Sequence, residues 1–188
     1  EHATLGVRQE NAGRAEHDSR GDVQVPADGL GQAQTQRAAA NVVSGKPADP
    51  ALIRALALIK GAAARANGKR GVISPQEAQA IADAAQAVAE GQHADQFPVD
   101  VFQTGSGTST NMNLNEVLAT LSGTHPNDQV NASQRSNDTF PSATHPDAAQ
   151  QVRQGVPPTP DHRHTTLQRP QHPAGASVPA RQHQPRAG

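Results

Sequence analysis

The chain has 188 residues, a net charge of −1 and no cysteine. This charge does not favour binding to nucleic acid or to an acidic membrane surface, and a chain without cysteine has no disulfide, no thiolate zinc site and no catalytic thiol. It has three Phe and neither Trp nor Tyr, so a sandwich or barrel of β-branched and aromatic strands is not expected. No apolar run approaches the roughly 20 residues of a membrane-spanning helix, and we expect a cytoplasmic protein.

The first 48 residues are rich in glycine and polar side chains. We expect residues 1–15 to form a disordered leader. Residues 22–25, Asp-Val-Gln-Val, alternate polar and apolar side chains and end at Pro26, which predicts a short edge strand.

Helical signals dominate from Asp49 onward. Asp49 can cap a helix whose first position is Pro50, and Ser74 with Glu77 makes the capping box of a second helix. Apolar residues then recur at helical spacing in each segment. The predicted fold class is therefore all-α, with a short β segment near the start and helices over residues 50–66, 75–90 and 110–121.

The last 38 residues differ in composition from the rest. Residues 151–188 carry five Arg against the single Asp161, together with seven Pro and four His. So few apolar groups cannot offset the entropy of ordering this segment, so we expect residues 150–188 to be a disordered tail. An out-of-frame reading of GC-rich coding sequence and a basic, His-rich binding arm are the alternatives for this tail.

The residues with chemical potential are concentrated around the third helix. Residues 105–110, Gly-Ser-Gly-Thr-Ser-Thr, bring hydroxyls and glycine N–H groups to the start of that helix, where its dipole favours an anion. Two interpretations of this loop remain open. It binds an anion, such as a carboxylate or a phosphate, or it is an ordinary helix cap. The loop is followed by three alternating asparagines, Asn111, Asn113 and Asn115. Either their side-chain amides are needed at this helix start, or they are three solvated amides. Two polar turns are predicted further on, at residues 125–128 and 136–139.

Taken in order, these segments resemble the N-terminal third of class II fumarate hydratases. The resemblance rests on residues 102–117, 125–131 and 133–141. It extends over about residues 16–149, and it implies that these residues form an incomplete fumarase-like lyase domain. The Gly-Ser-Gly-Thr and Ser-Asn-Asp-Thr-Phe-Pro motifs are more similar to fumarases than to aspartate ammonia-lyases of the same superfamily. An aspartate ammonia-lyase-like fragment is kept as the alternative.

The resemblance implies a reaction and a set of binding residues. Enzymes of this family are homotetramers that interconvert fumarate and (S)-malate in the tricarboxylic acid cycle, without a metal or organic cofactor. It implies that substrate carboxylate is bound by Ser106, Thr108, Ser136 and Asn137. It also implies a second dicarboxylate site, outside the catalytic pocket, at His125, Asn127 and Asp128.

Several departures set limits on what the resemblance implies. The family's catalytic Thr-His pair and its Gly-Ser-Ser loop, which lie further along the chain, are not matched, so no catalytic residue is implied. Gly31 and Gln32 replace a usual Trp-Gly, Arg135 replaces a Ser, and the three residues 122–124 replace a longer segment that contains an Arg. We therefore expect a truncated, inactive fumarase fragment or, as the alternative, a non-catalytic dicarboxylate-binding module.

Overall fold

The computed structural model describes residues 13–18, 20–41, 43–103, 105 and 107–155. Within these ranges, two strands are followed by five helices, so the predicted mainly helical fold with a short β segment near the start is confirmed. The elements in chain order are β1 (Gly13–Asp18), β2 (Gly21–Pro26), α1 (Ala33–Ala39), α2 (Pro50–Lys69), α3 (Pro75–Ala89), α4 (Thr108–Ser122) and α5 (Ser136–Gly155). A 3₁₀ turn (Ala94–Gln96) and a π-type turn (Pro126–Val130) complete them.

The two ends of the described chain bear on the predicted disordered segments. Strand β1 begins at Gly13, within the residues 1–15 expected to be a leader, and α5 continues to Gly155, within the expected tail. Residues 1–12 and 156–188 lie outside the described ranges. The chain divides into two compact units, Glu1–Gln150 and Gln151–Gly188, and the residues of the candidate site belong to the first.

The predicted strand is β2, and it pairs antiparallel with β1, which sequence reasoning missed. Strand β1 has no β-branched residue to indicate it, and polar contacts hold it in place. The Arg14 guanidinium donates to the Gly29 and Gly31 carbonyls at 2.7 and 3.0 Å, and Arg37 of α1 forms an ion pair with Asp18 at 3.0 Å. These contacts fasten the hairpin to the loop before α1 and to α1 itself.

Helices α2, α3 and α4 pack on one another and form the core. All three were predicted, and Asp49 and the Ser74–Glu77 box cap α2 and α3 as expected. Helix α2 continues past Asn67 because this side chain is buried and donates from Nδ2 to the Ala132 carbonyl at 2.8 Å. The fully buried large apolar residues at the centre are Leu56, Ile81, Leu114, Val117, Leu118 and Val130.

Asp100 anchors the loop that precedes α4. Its buried carboxylate accepts hydrogen bonds from the N–H groups of Phe102, Ser44, Gly45 and Val43, at 2.7 to 3.1 Å, and from the Ser44 hydroxyl at 2.9 Å. These donors, the Phe102 N–H foremost, hold the pKa of Asp100 below its usual range although burial acts to raise it. The loop before α4 is thereby joined to residues 43–45.

Asp100→Asn is expected to lower the melting temperature at pH 7, because an amide cannot accept all of these hydrogen bonds. The pKa of Asp100 is lower in the folded than in the unfolded chain, so its contribution to stability is complete above the unfolded value of about 3.9 and is lost as the pH falls further. Melting curves from pH 2 to 7 should therefore differ least at the acidic end. An unchanged melting temperature at pH 7 would contradict this role, and Asp83→Asn, on the exposed side of α3, is the matched control.

Candidate functional site

The starts of α4 and α5 are joined by one buried side chain, that of Asn111. Asn111 is 1% exposed. Its Nδ2 donates to Ser136 Oγ at 3.0 Å, and its Oδ1 accepts from Thr139 Oγ1 at 3.3 Å. A residue in the first turn of α4 thus bonds to two in the first turn of α5, which sets the position of one helix start against the other.

Gly107 brings the loop before α4 against the start of α5. It lies in the left-handed region at φ +63°, and a Cβ at this position would overlap the ring of Phe140 in α5. Both the backbone conformation and the close approach therefore require glycine. A cavity of about 350 Å³ lies beside this loop and is lined in part by Asp100, Gln103 and Ser109.

Three of the four predicted carboxylate-binding residues lie at these two helix starts. Thr108 is half-buried and donates from Oγ1 to the Gly105 carbonyl at 3.0 Å. Ser136 is half-buried and bonded to Asn111, and Asn137 is exposed. Ser106 lies outside the described residues. The predicted polar turn at residues 136–139 is wrong, because these residues are the first turn of α5.

The two helix starts carry partial charge of the sign that attracts an anion. The N-terminal ends of both helices carry partial positive charge, and the exposed Arg135 immediately precedes α5. Asp138, in the first turn of α5, opposes them but is exposed to solvent. Hydroxyl and amide donors at such a position can form charge-assisted hydrogen bonds to a carboxylate.

The predicted second site lies at the opposite end of α4. His125, Asn127 and Asp128 are exposed, on or beside the π-type turn that follows this helix. Since α4 has 15 residues, the two predicted sites are separated by about 20 Å. His125 Nδ1 accepts from the Asp128 N–H at 3.2 Å and lies 3.1 Å from Asp128 Oδ2, so a neutral ring accepts the first bond and only a protonated ring forms the ion pair.

The three alternating asparagines are buried, and the solvated alternative is wrong. Asn113 and Asn115 are 0% and 2% exposed, and Asn113 Nδ2 donates to the Gln96 carbonyl at 3.0 Å. The Oδ1 atoms of these two residues have no hydrogen-bond partner within the described part of the chain. Asn111 bonds to α5 and Asn113 bonds to the Gln96 carbonyl, so these two amides serve different contacts.

Sequence reasoning missed Gln103, which bonds across the loop. Gln103 Oε1 accepts from the Thr110 N–H at 2.8 Å, and Nε2 donates to Thr110 Oγ1 at 2.7 Å and to the Asp100 carbonyl at 3.0 Å. The sequence contains one signal for it. The residue at the helix cap is Gly107, which has no side chain to bond the first turn, so another side chain has to do so.

Two further observations concern metals and membranes. Within the described ranges, no group of three or more His, Asp or Glu side chains is arranged to hold a metal ion. None of the helices found there combines the length and apolar character needed to cross a membrane.

Comparison with known proteins relates the chain to fumarate hydratases. It is 56% identical over 138 residues to the class II fumarate hydratase of Mycobacterium tuberculosis (strain CDC 1551 / Oshkosh), an alignment that covers 70% of this chain and 29% of that protein. It is 48% identical over 167 residues to the class II fumarate hydratase of Nitrosomonas europaea, with 82% of this chain and 36% of that protein covered. The crystal structure of recombinant class II fumarase from Schistosoma mansoni matches with a TM-score of 0.71 and 39% identity, over 75% of this chain and 33% of that one.

These matches show which part of the chain is similar to known proteins. The chain spans about a third of the length of these relatives. A family model described as Lyase matches residues 21–170, beyond residue 149, where we expected the resemblance to end. The chain is similar to the N-terminal portion of class II fumarate hydratases, and it belongs to the lyase family.

Proposed function

We propose that this chain carries the carboxylate-binding part of a fumarate hydratase, an enzyme that converts fumarate reversibly to (S)-malate. The observation that supports this most directly is the Asn111 link between the starts of α4 and α5. It joins the start of α4, which carries Thr108, to the start of α5, which carries Ser136 and Asn137, and both helix ends are positively polarised. The similarity to class II fumarate hydratases supports the same assignment.

The chemistry divides between binding and proton transfer. Hydration of fumarate needs donors that hold its carboxylates and a base that handles the proton on carbon. Thr108, Ser136 and Asn137 can supply donors, although the Thr108 hydroxyl has one proton and must turn away from the Gly105 carbonyl to donate to a ligand. In this family the resemblance assigns the base to the Gly-Ser-Ser loop, which no segment of this chain matches. We therefore propose that the chain by itself binds dicarboxylate and does not turn it over.

Titration calorimetry with (S)-malate tests the binding proposal. We expect the chain to bind malate and Thr108→Ala to weaken binding by about tenfold or more, since a donor to a charged ligand is lost. Thr144→Ala is a matched control, because Thr144 is an exposed threonine that also donates to the carbonyl three residues earlier. Absence of malate binding by the unaltered chain would refute the proposal.

Two accompanying measurements separate the alternatives. Mixing the chain with fumarate should leave the ultraviolet absorbance of fumarate unchanged, and clear turnover would show that the chain carries its own base. Titration with L-aspartate distinguishes the aspartate ammonia-lyase alternative, which predicts tighter binding of aspartate than of malate. The proposal also includes fumarate and malate as ligands, assembly with other subunits into a homotetramer, and a cytoplasmic location.

A further inference from the structure

The start of α4 is capped by a side chain from outside the helix. The residue at the cap, Gly107, makes no side-chain bond, and Gln103 takes over this role at the Thr110 N–H. The same carboxamide also bonds Thr110 Oγ1 and the Asp100 carbonyl. It therefore joins the residue that begins the loop to the third residue of the helix, across the segment that carries Thr108.

Gln103 braces the loop by bonding Thr110 at one end and Asp100 at the other, and Asp100 is itself held by several hydrogen bonds. Asp100 is 3% exposed, and its carboxylate is saturated by donors from residues 43–45 and from Phe102. Since Gln103 bonds to the carbonyl of this residue, the loop is attached to a residue that is itself buried and hydrogen-bonded. A shift of Gln103 would carry the first turn of α4 with it.

The charge of the capping group matters as much as its geometry. A carboxylate is a common cap at a helix start, but its negative charge cancels the partial positive charge of the helix end. A neutral carboxamide satisfies the Thr110 N–H and leaves that positive charge available. We infer that Gln103 is a positioning residue for the carboxylate site, which holds the start of α4 in place while keeping it receptive to an anion. This inference rests on the proposed function of the same site.

Two substitutions separate the geometric from the electrostatic role. Gln103→Met has similar length and no charge, but loses every hydrogen bond; Gln103→Glu keeps an acceptor for the Thr110 N–H and adds a negative charge. Hydrogen exchange at the Thr110 amide should accelerate by about tenfold in the Met variant and less in the Glu variant. The dissociation constant for (S)-malate should respond in the opposite order, rising by about tenfold or more in the Glu variant and less in the Met variant.

A purely structural cap predicts a different pattern. The variant with the slower exchange at Thr110 would then bind malate more tightly. Tighter malate binding by Gln103→Glu than by Gln103→Met would therefore overturn the inference. Gln76→Glu makes the same charge change in the first turn of α3 and should leave malate binding unchanged. If the unaltered chain binds no malate, the proposed function fails. In that case, unchanged exchange at Thr110 in Gln103→Met would refute the brace, and accelerated exchange would support it.

Discussion

Lys60→Met is expected to abolish a rise in stability between pH 7 and pH 10. Lys60 lies in α2 with its side chain fully buried, and burial lowers its pKa to about 7. Its Nζ donates to Asn131 Oδ1 at 2.8 Å, and among the described residues no carboxylate lies within ion-pair distance of it. The folded protein therefore accommodates the neutral amine better than the ammonium ion.

The direction of the pH dependence follows from this lowered pKa. Between pH 7 and about 10.4, the ordinary lysine value, the unfolded chain binds a proton that the folded chain does not, so the free energy of unfolding rises with pH. The full difference is on the order of 5 kcal/mol, and it is lost as the pH falls to 7. Because the chain has neither Cys nor Tyr, few other side chains titrate in this window.

Urea unfolding at pH 6, 7, 8, 9 and 10 measures the effect. The unaltered chain should become more stable across the series, and Lys60→Met should follow a nearly flat line. At pH 10 the variant should be less stable by about 1 kcal/mol, since Asn131 loses its donor. Lys69→Met, an exposed position at the end of the same helix, should keep the slope. A slope that survives in Lys60→Met would show that another group causes it.

Glu116→Gln is expected to lower the free energy of unfolding by about 3 kcal/mol at pH 7. Glu116 is a buried residue of α4, 4% exposed, whose carboxylate accepts from the N–H groups of Gln32, Gln34 and Thr35 at 2.8 to 2.9 Å. It also accepts from the Thr35 hydroxyl. These donors lie at the start of α1, so a carboxylate from a distant helix caps α1 and complements its dipole. A glutamine places N–H donors against them.

Chemical unfolding of the variant beside its control tests this role. Glu90→Gln makes the same change at an exposed position after α3 and should alter stability by less than about 0.5 kcal/mol. Exchange at the α1 amides should also become faster in Glu116→Gln than in the control. A destabilisation below about 1 kcal/mol would mean that α1 is held by its other contacts, including the Arg37–Asp18 ion pair.

The elements that local sequence predicted share one property. Helices α2 and α3 carry their own caps, Asp49 and Ser74, and apolar residues at helical spacing. Strand β2 shows the alternation of a half-buried strand. Each signal lies within the element that it specifies, so it can be read without knowledge of the partners.

The elements that were missed depend on distant residues. Helix α1 has only seven residues and no side-chain cap of its own, and Glu116 supplies the cap from more than 80 positions away. Helix α5 contains Pro141 and Pro146, which normally end a helix, and it buries Thr139 and Ala143 on one face. Packing therefore outweighs the local preference in both elements.

For the candidate site, the sequence by itself determined which family the chain resembles, and through that resemblance it predicted the carboxylate-binding residues. Motif order is a one-dimensional property, so Thr108, Ser136, Asn137 and the His125 turn could be identified from it. The sequence also placed Thr108 at the start of the third helix and the His125 turn after the end of that helix. Only the tertiary structure decided that Ser136 and Asn137 begin a further helix, α5, and that Asn111 joins its start to the start of α4. It also revealed the contacts of Gln103, Glu116 and Lys60, because burial and long-range hydrogen bonds arise only when separate segments pack together.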